Sequence, residues 1–174
     1  MPITPDTKDW TWVVERPCPE CGFAASSIAP RDVAGIIRTN AVAWRAVLGR
    51  PVVHERPTHD MWSPLEYGCH VRDVYRIYDR RLALMLAEDD PTYPNWDQDA
   101  TARDDDYASQ DPEQVAEDIA VAAAAIADRF DTVTGEEWER TGTRSDGARF
   151  TIETFARYLV HDPIHHLHDV GYTG

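Results

Sequence analysis

The 174-residue chain carries 31 acidic against 17 basic side chains, a net charge of −14, and its one lysine is Lys8. So acidic a chain excludes nucleic acid as the expected partner, because neutralising phosphates needs clustered Lys and Arg. Its 43% apolar content excludes extended disorder and predicts a single domain with a proper core.

The opening MPITPDTKDW lacks the charged-then-apolar order of a secretory signal. The longest apolar run, IAVAAAAIA at 119–127, falls far short of the ~20 residues of a membrane span. The three cysteines, Cys18, Cys21 and Cys69, are too few and too unevenly numbered for a disulfide framework. The expectation is a cytoplasmic chain that meets no membrane.

Residues 1–29 read as a short irregular N-terminal extension, with WTWVVERP at 10–17 the one stretch of strand-like pattern. CPECG at 18–22 is half of a zinc-knuckle pattern: two cysteines spaced by two, then a Gly that lets the chain turn around an ion. A full site needs two more ligands, and His54, His59 or a carboxylate are the expected sources. A redox or disulfide pair and plain thiols stand beside that reading, so Cys18 and Cys21 form a candidate second metal site and no more.

Residues 30–174 read as four helices. The first starts near Pro30 and places Val33, Ile36, Ile37, Ala41, Trp44 and Leu48 at three- and four-residue spacing before Gly49 ends it. The second opens on Ser63 as cap, Pro64 in the first position and Glu66 three residues after the cap. A polar connection follows over 89–111. Its DQDATARDDDY has the carboxylate density of a calcium loop without the Gly and Glu that an EF-hand needs, and reads as a solvated, mobile loop. The third helix is capped by Asp111–Pro112 and has an alanine-rich middle that permits close helix approach. TGTRSDG at 141–147 reads as a turn or short hairpin, and the fourth helix runs from about Thr151 to Val170. The architecture expected is all-α, a four-helix bundle.

The last helix ends in HDPIHHLHD, residues 161–169, which holds four of the chain's seven histidines. His161 and His165 are four apart and project from one helical face, so they can grip one ion if a third ligand comes from elsewhere. Pro163 between them either kinks the helix or restarts it. On spacing alone, ligation and the plainer role of polar residues near a helix C-terminus both stay open.

WSPLEYGCHVRD at 62–73, followed some ninety residues later by HDPIHHLHD, resembles the DinB/YfiT-like metalloenzyme superfamily, over roughly residues 31–170. That resemblance implies a four-helix bundle in which His70 joins His161 and His165 around a divalent ion, with zinc, nickel or iron suited to three imidazoles. Glu66, one turn before His70, is the expected proton acceptor, and Asp73, Asp162 and Asp169 the expected carboxylates behind the ligands. The superfamily includes the mycothiol-dependent maleylpyruvate isomerase. The implied activity is therefore thiol-dependent transfer or isomerisation of a small-molecule substrate, with mycothiol or another low-molecular-weight thiol as cofactor. A metal-dependent hydrolase on the same site, and a non-catalytic metal-binding or interaction protein, are the alternatives. A homodimer fits this bundle type.

Overall fold

A computed structural model describes Ile3, Pro5 and residues 8–174; residues 1, 2, 4, 6 and 7 of the opening stretch lie outside the described residues. The four expected helices are present as α1 (Val33–Leu48), α2 (Pro64–Ala87), α4 (Pro112–Asp131) and α5 (Ile152–Asp169). No described helix is long and apolar enough to cross a membrane.

Local chemistry explains where they begin. Ser63 Oγ accepts from the Glu66 N–H (3.2 Å) while the Ser63 N–H donates to Glu66 Oε2 (2.8 Å), the reciprocal box that the S-x-x-E spacing predicts. Asp111 caps α4 through the Gln114 N–H, and Thr151 caps α5 through the Thr154 N–H. Helix α4 packs against both α1 and α2, and α5 also contacts both, so one core runs between the four. Trp44, Tyr75, Phe155, Ile37 and Leu159 are fully enclosed in it. Buried Ala116, Ala122, Ala123 and Ala127 form the close-approach face of α4 that the alanine-rich stretch predicts.

The hairpin forms from β2 (Thr141–Arg144) and β3 (Arg149–Thr151), with β1 (Thr92–Tyr93) added in parallel to β2. Two expectations are corrected. WTWVVERP is not a strand but a single 3-10 turn, Thr11–Val14. The 89–111 connection is an ordered structure with α3 (Gln98–Asp104), capped by Asp97. The ordering comes from what lies beneath it. Tyr107 is buried and its hydroxyl donates to Asp73 Oδ2 (2.6 Å), while Arg72 forks onto the same carboxylate through two 2.9 Å hydrogen bonds. Arg72 also donates to Gln110 Oε1 (2.6 Å), so the far end of the connection is tied to α2 at two points.

Burial opposes ionisation of Asp73, but the hydrogen bonds from Arg72 and Tyr107 outweigh it and hold the carboxyl below its ordinary range. A carboxyl with a depressed folded pKa adds stability above its unfolded value, and that stability is lost as pH falls through the folded one. Asp73→Ala strands the Arg72 guanidinium and should lower unfolding stability by about 3–5 kcal/mol at neutral pH. The difference between wild type and variant should shrink below about pH 4. Urea denaturation at pH 7 and pH 3 checks both statements; an equal gap at the two pH values would remove Asp73 ionisation from the explanation.

Candidate functional site

Helix α5 is continuous through Pro163, so His161 and His165 share one face and Asp162 and His166 share the next. Those two pairs meet different partners. His161 and His165 come together with Cys18 and Cys21, and Asp162 and His166 come together with His70 of α2; within each group the ligand atoms all lie within 4.8 Å of one another. The trio His70, His161 and His165 expected to share one ion is thus divided between two groups.

Asp162 is the hub of the group it forms with His70 and His166. His70 Nε2 lies 3.2 Å from Asp162 Oδ1, and His166 Nε2 lies 3.7 Å from the same oxygen. His166 Nδ1 is 2.8 Å from Asp169 Oδ2, a hydrogen bond that holds the ring with Nε2 toward Asp162 and, in the neutral imidazole that would ligate an ion, keeps the proton on Nδ1. Desolvation opposes a charge on Asp162, but the facing imidazoles of His70 and His166 outweigh it and keep the carboxyl ionised well below the usual range. Trp96 lies flat on the His70 ring, 5.3 Å between centroids and 4° between planes, and Trp62 packs on it at 5.4 Å. An ionised carboxylate and two imidazoles, one held in a fixed tautomer, make a donor set that suits a divalent ion of the zinc, iron or nickel kind.

This group opens on a cavity of about 1080 Å³. Its walls include Trp10, Trp62, Tyr67 and Trp96, with Lys8, Arg81 and Arg144 as cations among eight acidic side chains. Arg144 is compensated by Asp146 (2.9 Å). Arg81 is buried, lies over the Tyr93 and Tyr78 rings, donates to the Pro94 carbonyl (2.9 Å), and among the described residues pairs with no carboxylate.

The second group is formed by residues 18–21 folded against α5. Cys18 Sγ is 3.7 Å from His165 Nδ1, and both cysteines are free thiols. Burial drives the His161 imidazole down to about 4 and the Cys21 thiol up to about 11, so each is neutral across the physiological range when nothing is bound. His54 and His59, the expected completing ligands for the cysteine pair, are exposed and belong to neither group.

Glu66 sits elsewhere. One oxygen accepts from Ser63 N–H and Arg56 Nε (2.9 Å), the other from Arg56 Nη2, and the residue is buried away from the cavity wall. Desolvation is again outweighed, here by Arg56 and Ser63, so its carboxyl is held low. That geometry caps a helix and pairs an arginine; it does not present a proton acceptor to the cavity. Cys69 is also enclosed, its thiol pushed up to about 12 by burial. His166 is missed in the sequence, and Asp162, expected only as a carboxylate behind the ligands, stands among the donor atoms themselves. Their signal was present as a second four-residue spacing, hidden because one member is a carboxylate.

A profile of the DinB superfamily matches residues 38–170. Comparison with curated proteins finds no match. The fold is similar to the solved structure of YfiT from Bacillus subtilis, described as "a probable metal-dependent hydrolase with an unusual four-helix bundle topology". That likeness has a TM-score of 0.71 at 16% identity and covers 80% of this chain and 82% of that one. At such identity it speaks for the fold alone.

Because Asp169 orients His166, Asp169→Asn should leave the helix intact and lower affinity for added Zn²⁺ by about 10- to 100-fold. Calorimetric titration of chelator-treated protein reads this, with circular dichroism as the check on folding. Unchanged affinity would mean that the His166–Asp169 contact does not set the donor.

Proposed function

The chain belongs to the DinB superfamily, and on that premise we propose that it is a metal-dependent enzyme whose divalent ion is held by His70, Asp162 and His166. The observation that carries this reading is the convergence of the His70 and His166 imidazoles on the ionised Asp162, with Asp162 and His166 on the wall of a large cavity. Three protein ligands leave coordination positions free for a reactant. A bound divalent ion supplies Lewis acidity there and lowers the pKa of the water or thiol it contacts.

The chain's own residues do the rest. Asp169 holds the His166 proton on Nδ1, so that Nε2 remains a donor lone pair. The Trp96 and Trp62 rings fix the His70 plane and shield it from water. Arg81, cationic, buried and without a carboxylate partner among the described residues, is placed to receive an anionic group of the substrate. The substrate class that fits is a small molecule with an aromatic or apolar body and a carboxylate or similar anion.

Hydrolysis is the reaction favoured by the donor set, since two histidines and a carboxylate are the ligands of many zinc hydrolases. Thiol-dependent transfer or isomerisation, the reading implied by the resemblance of the two motifs, is supported by the cavity's volume. About 1080 Å³ is at or slightly above the upper end of ordinary ligand pockets and has room for a low-molecular-weight thiol beside its electrophile.

The experiment is a product analysis with carboxylate-bearing aryl esters and aryl electrophiles, each with and without mycothiol or glutathione, on zinc-, nickel- or iron-loaded protein. Thiol-independent ester cleavage supports hydrolysis; turnover only with thiol supports transfer. Asp162→Ala and His166→Ala should abolish either activity, and Arg81→Gln should raise KM about tenfold with a smaller change in kcat. Full activity in Asp162→Ala would sink the assignment of the ion to this group.

A further inference from the structure

The cysteine–histidine group shares no residue with His70, Asp162 and His166 and has a different chemistry, although its His161 and His165 border the same cavity. We infer that Cys18, Cys21, His161 and His165 form a second metal centre, a closed structural Cys2His2 zinc site that clamps the N-terminal extension onto α5.

Four observations carry it. The donor atoms all lie within 4.8 Å of one another. A tetrahedral zinc site with its usual bond lengths has donor–donor edges of about 3.3–3.8 Å, and Cys18 Sγ to His165 Nδ1 is 3.7 Å. The loop has the knuckle's hydrogen bonds: Gly22 N–H donates to the Cys18 carbonyl (2.9 Å) and Cys18 N–H to the Phe23 carbonyl (2.8 Å). Gly22 takes φ +76°, which a side chain would strain, so the CPECG glycine is what turns both cysteines toward the helix.

The histidines are prepared to match. His165 Nε2 has Glu20 Oε2 (3.4 Å) and Asp169 Oδ1 (3.6 Å) on its side of the ring, and its Nδ1 is turned toward Cys18 Sγ. His161 Nε2 is buried and has no hydrogen-bond partner among the described residues. An unpaired imidazole nitrogen enclosed by Phe23 and Trp10 is costly unless an ion completes it.

The site is closed because all four positions are taken by protein, unlike the three-donor group at the cavity. Zinc binding displaces one proton from each thiol and leaves both imidazoles neutral. Its effect is architectural. Trp10, whose ring packs on His165 at 5.0 Å and on His161 at 5.4 Å, also lines the cavity, so the clamp sets part of the cavity wall.

Cobalt(II) titration of the chelator-treated full chain tests this, alongside zinc content by elemental mass spectrometry. The first equivalents should raise a thiolate-to-cobalt charge-transfer band in the near ultraviolet together with the intense visible bands of a tetrahedral ion. Both should persist in His166→Gln and be lost in Cys21→Ser, and zinc per chain should fall by one ion in Cys21→Ser and in His161→Gln. Should these variants fold poorly, the wild-type spectrum decides alone. Cobalt bound without a thiolate band, zinc content unchanged in Cys21→Ser, or a Cys18–Cys21 disulfide in place of the ion would each overturn the inference.

Discussion

A single rotation of about 100° per residue along α5 organises everything chemical in this protein. Two donor pairs, each four residues apart and offset by one position, cannot occupy one face of a helix. His161 and His165 therefore meet residues 18–21, while Asp162 and His166 meet His70 of α2, and all four border the same cavity. The arrangement requires that the helix run unbroken through Pro163, which lies inside both pairs. A proline removes one helical hydrogen bond, so neighbours must hold the segment. Trp44 Nε1 of α1 donates to the Pro163 carbonyl (3.3 Å), and Arg50 Nη1 donates to the Val170 carbonyl (2.7 Å) at the helix end. The core that buries Trp44 is in this way also the support for both donor groups.

Asp169 ties the groups to each other. Its two oxygens address different histidines, Oδ2 toward His166 and Oδ1 toward His165. Desolvation of Asp169 is outweighed by the hydrogen bond and charge of His166, and its carboxyl is held low. One ionised carboxylate at the last turn thereby orients His166 by a hydrogen bond and stands beside His165 of the other group. Placing it at the C-terminal turn works against the helix dipole. The two flanking imidazoles supply the compensation.

The bundle was legible in the sequence because its signals are local: S-x-x-E at 63–66, Asp–Pro at 111–112, and apolar spacing of three and four. The 89–111 connection was not, because its order comes from Tyr107 reaching Asp73 and Arg72, a contact 34 residues distant that no window of the sequence contains. The elements of the site were legible to the residue type and to the helix, and the motif pair pointed to His70 and to the last helix. Grouping was the part that failed to show. Choosing between 161/165 and 162/166 as partners of His70 requires the rotation of α5 about its own axis, which packing decides. The counterpart for the cysteines was sought in the nearby His54 and His59, whereas the structure supplies it from 140 residues away along the chain.

The charge of each donor set assigns the two groups different work. A dication with two thiolates and two neutral imidazoles sums to zero, which is the arrangement that a buried, water-poor position tolerates at least cost. A dication with two imidazoles and one carboxylate would retain a single positive charge beside the cavity that Asp162 and His166 line. With the buried Arg81 on the same wall, the ion would set positive charge at one point of a cavity whose lining is otherwise mostly acidic, in a chain whose net charge is −14. The surrounding acidity repels anions at long range, but that repulsion is screened beyond about 8 Å at physiological salt. Inside the cavity the aromatic walls exclude water and strengthen the short-range attraction. Selection of an anionic substrate would then fall to the ion and Arg81, and the N-terminal extension packed on α5 brings one cavity wall, Trp10, against His165.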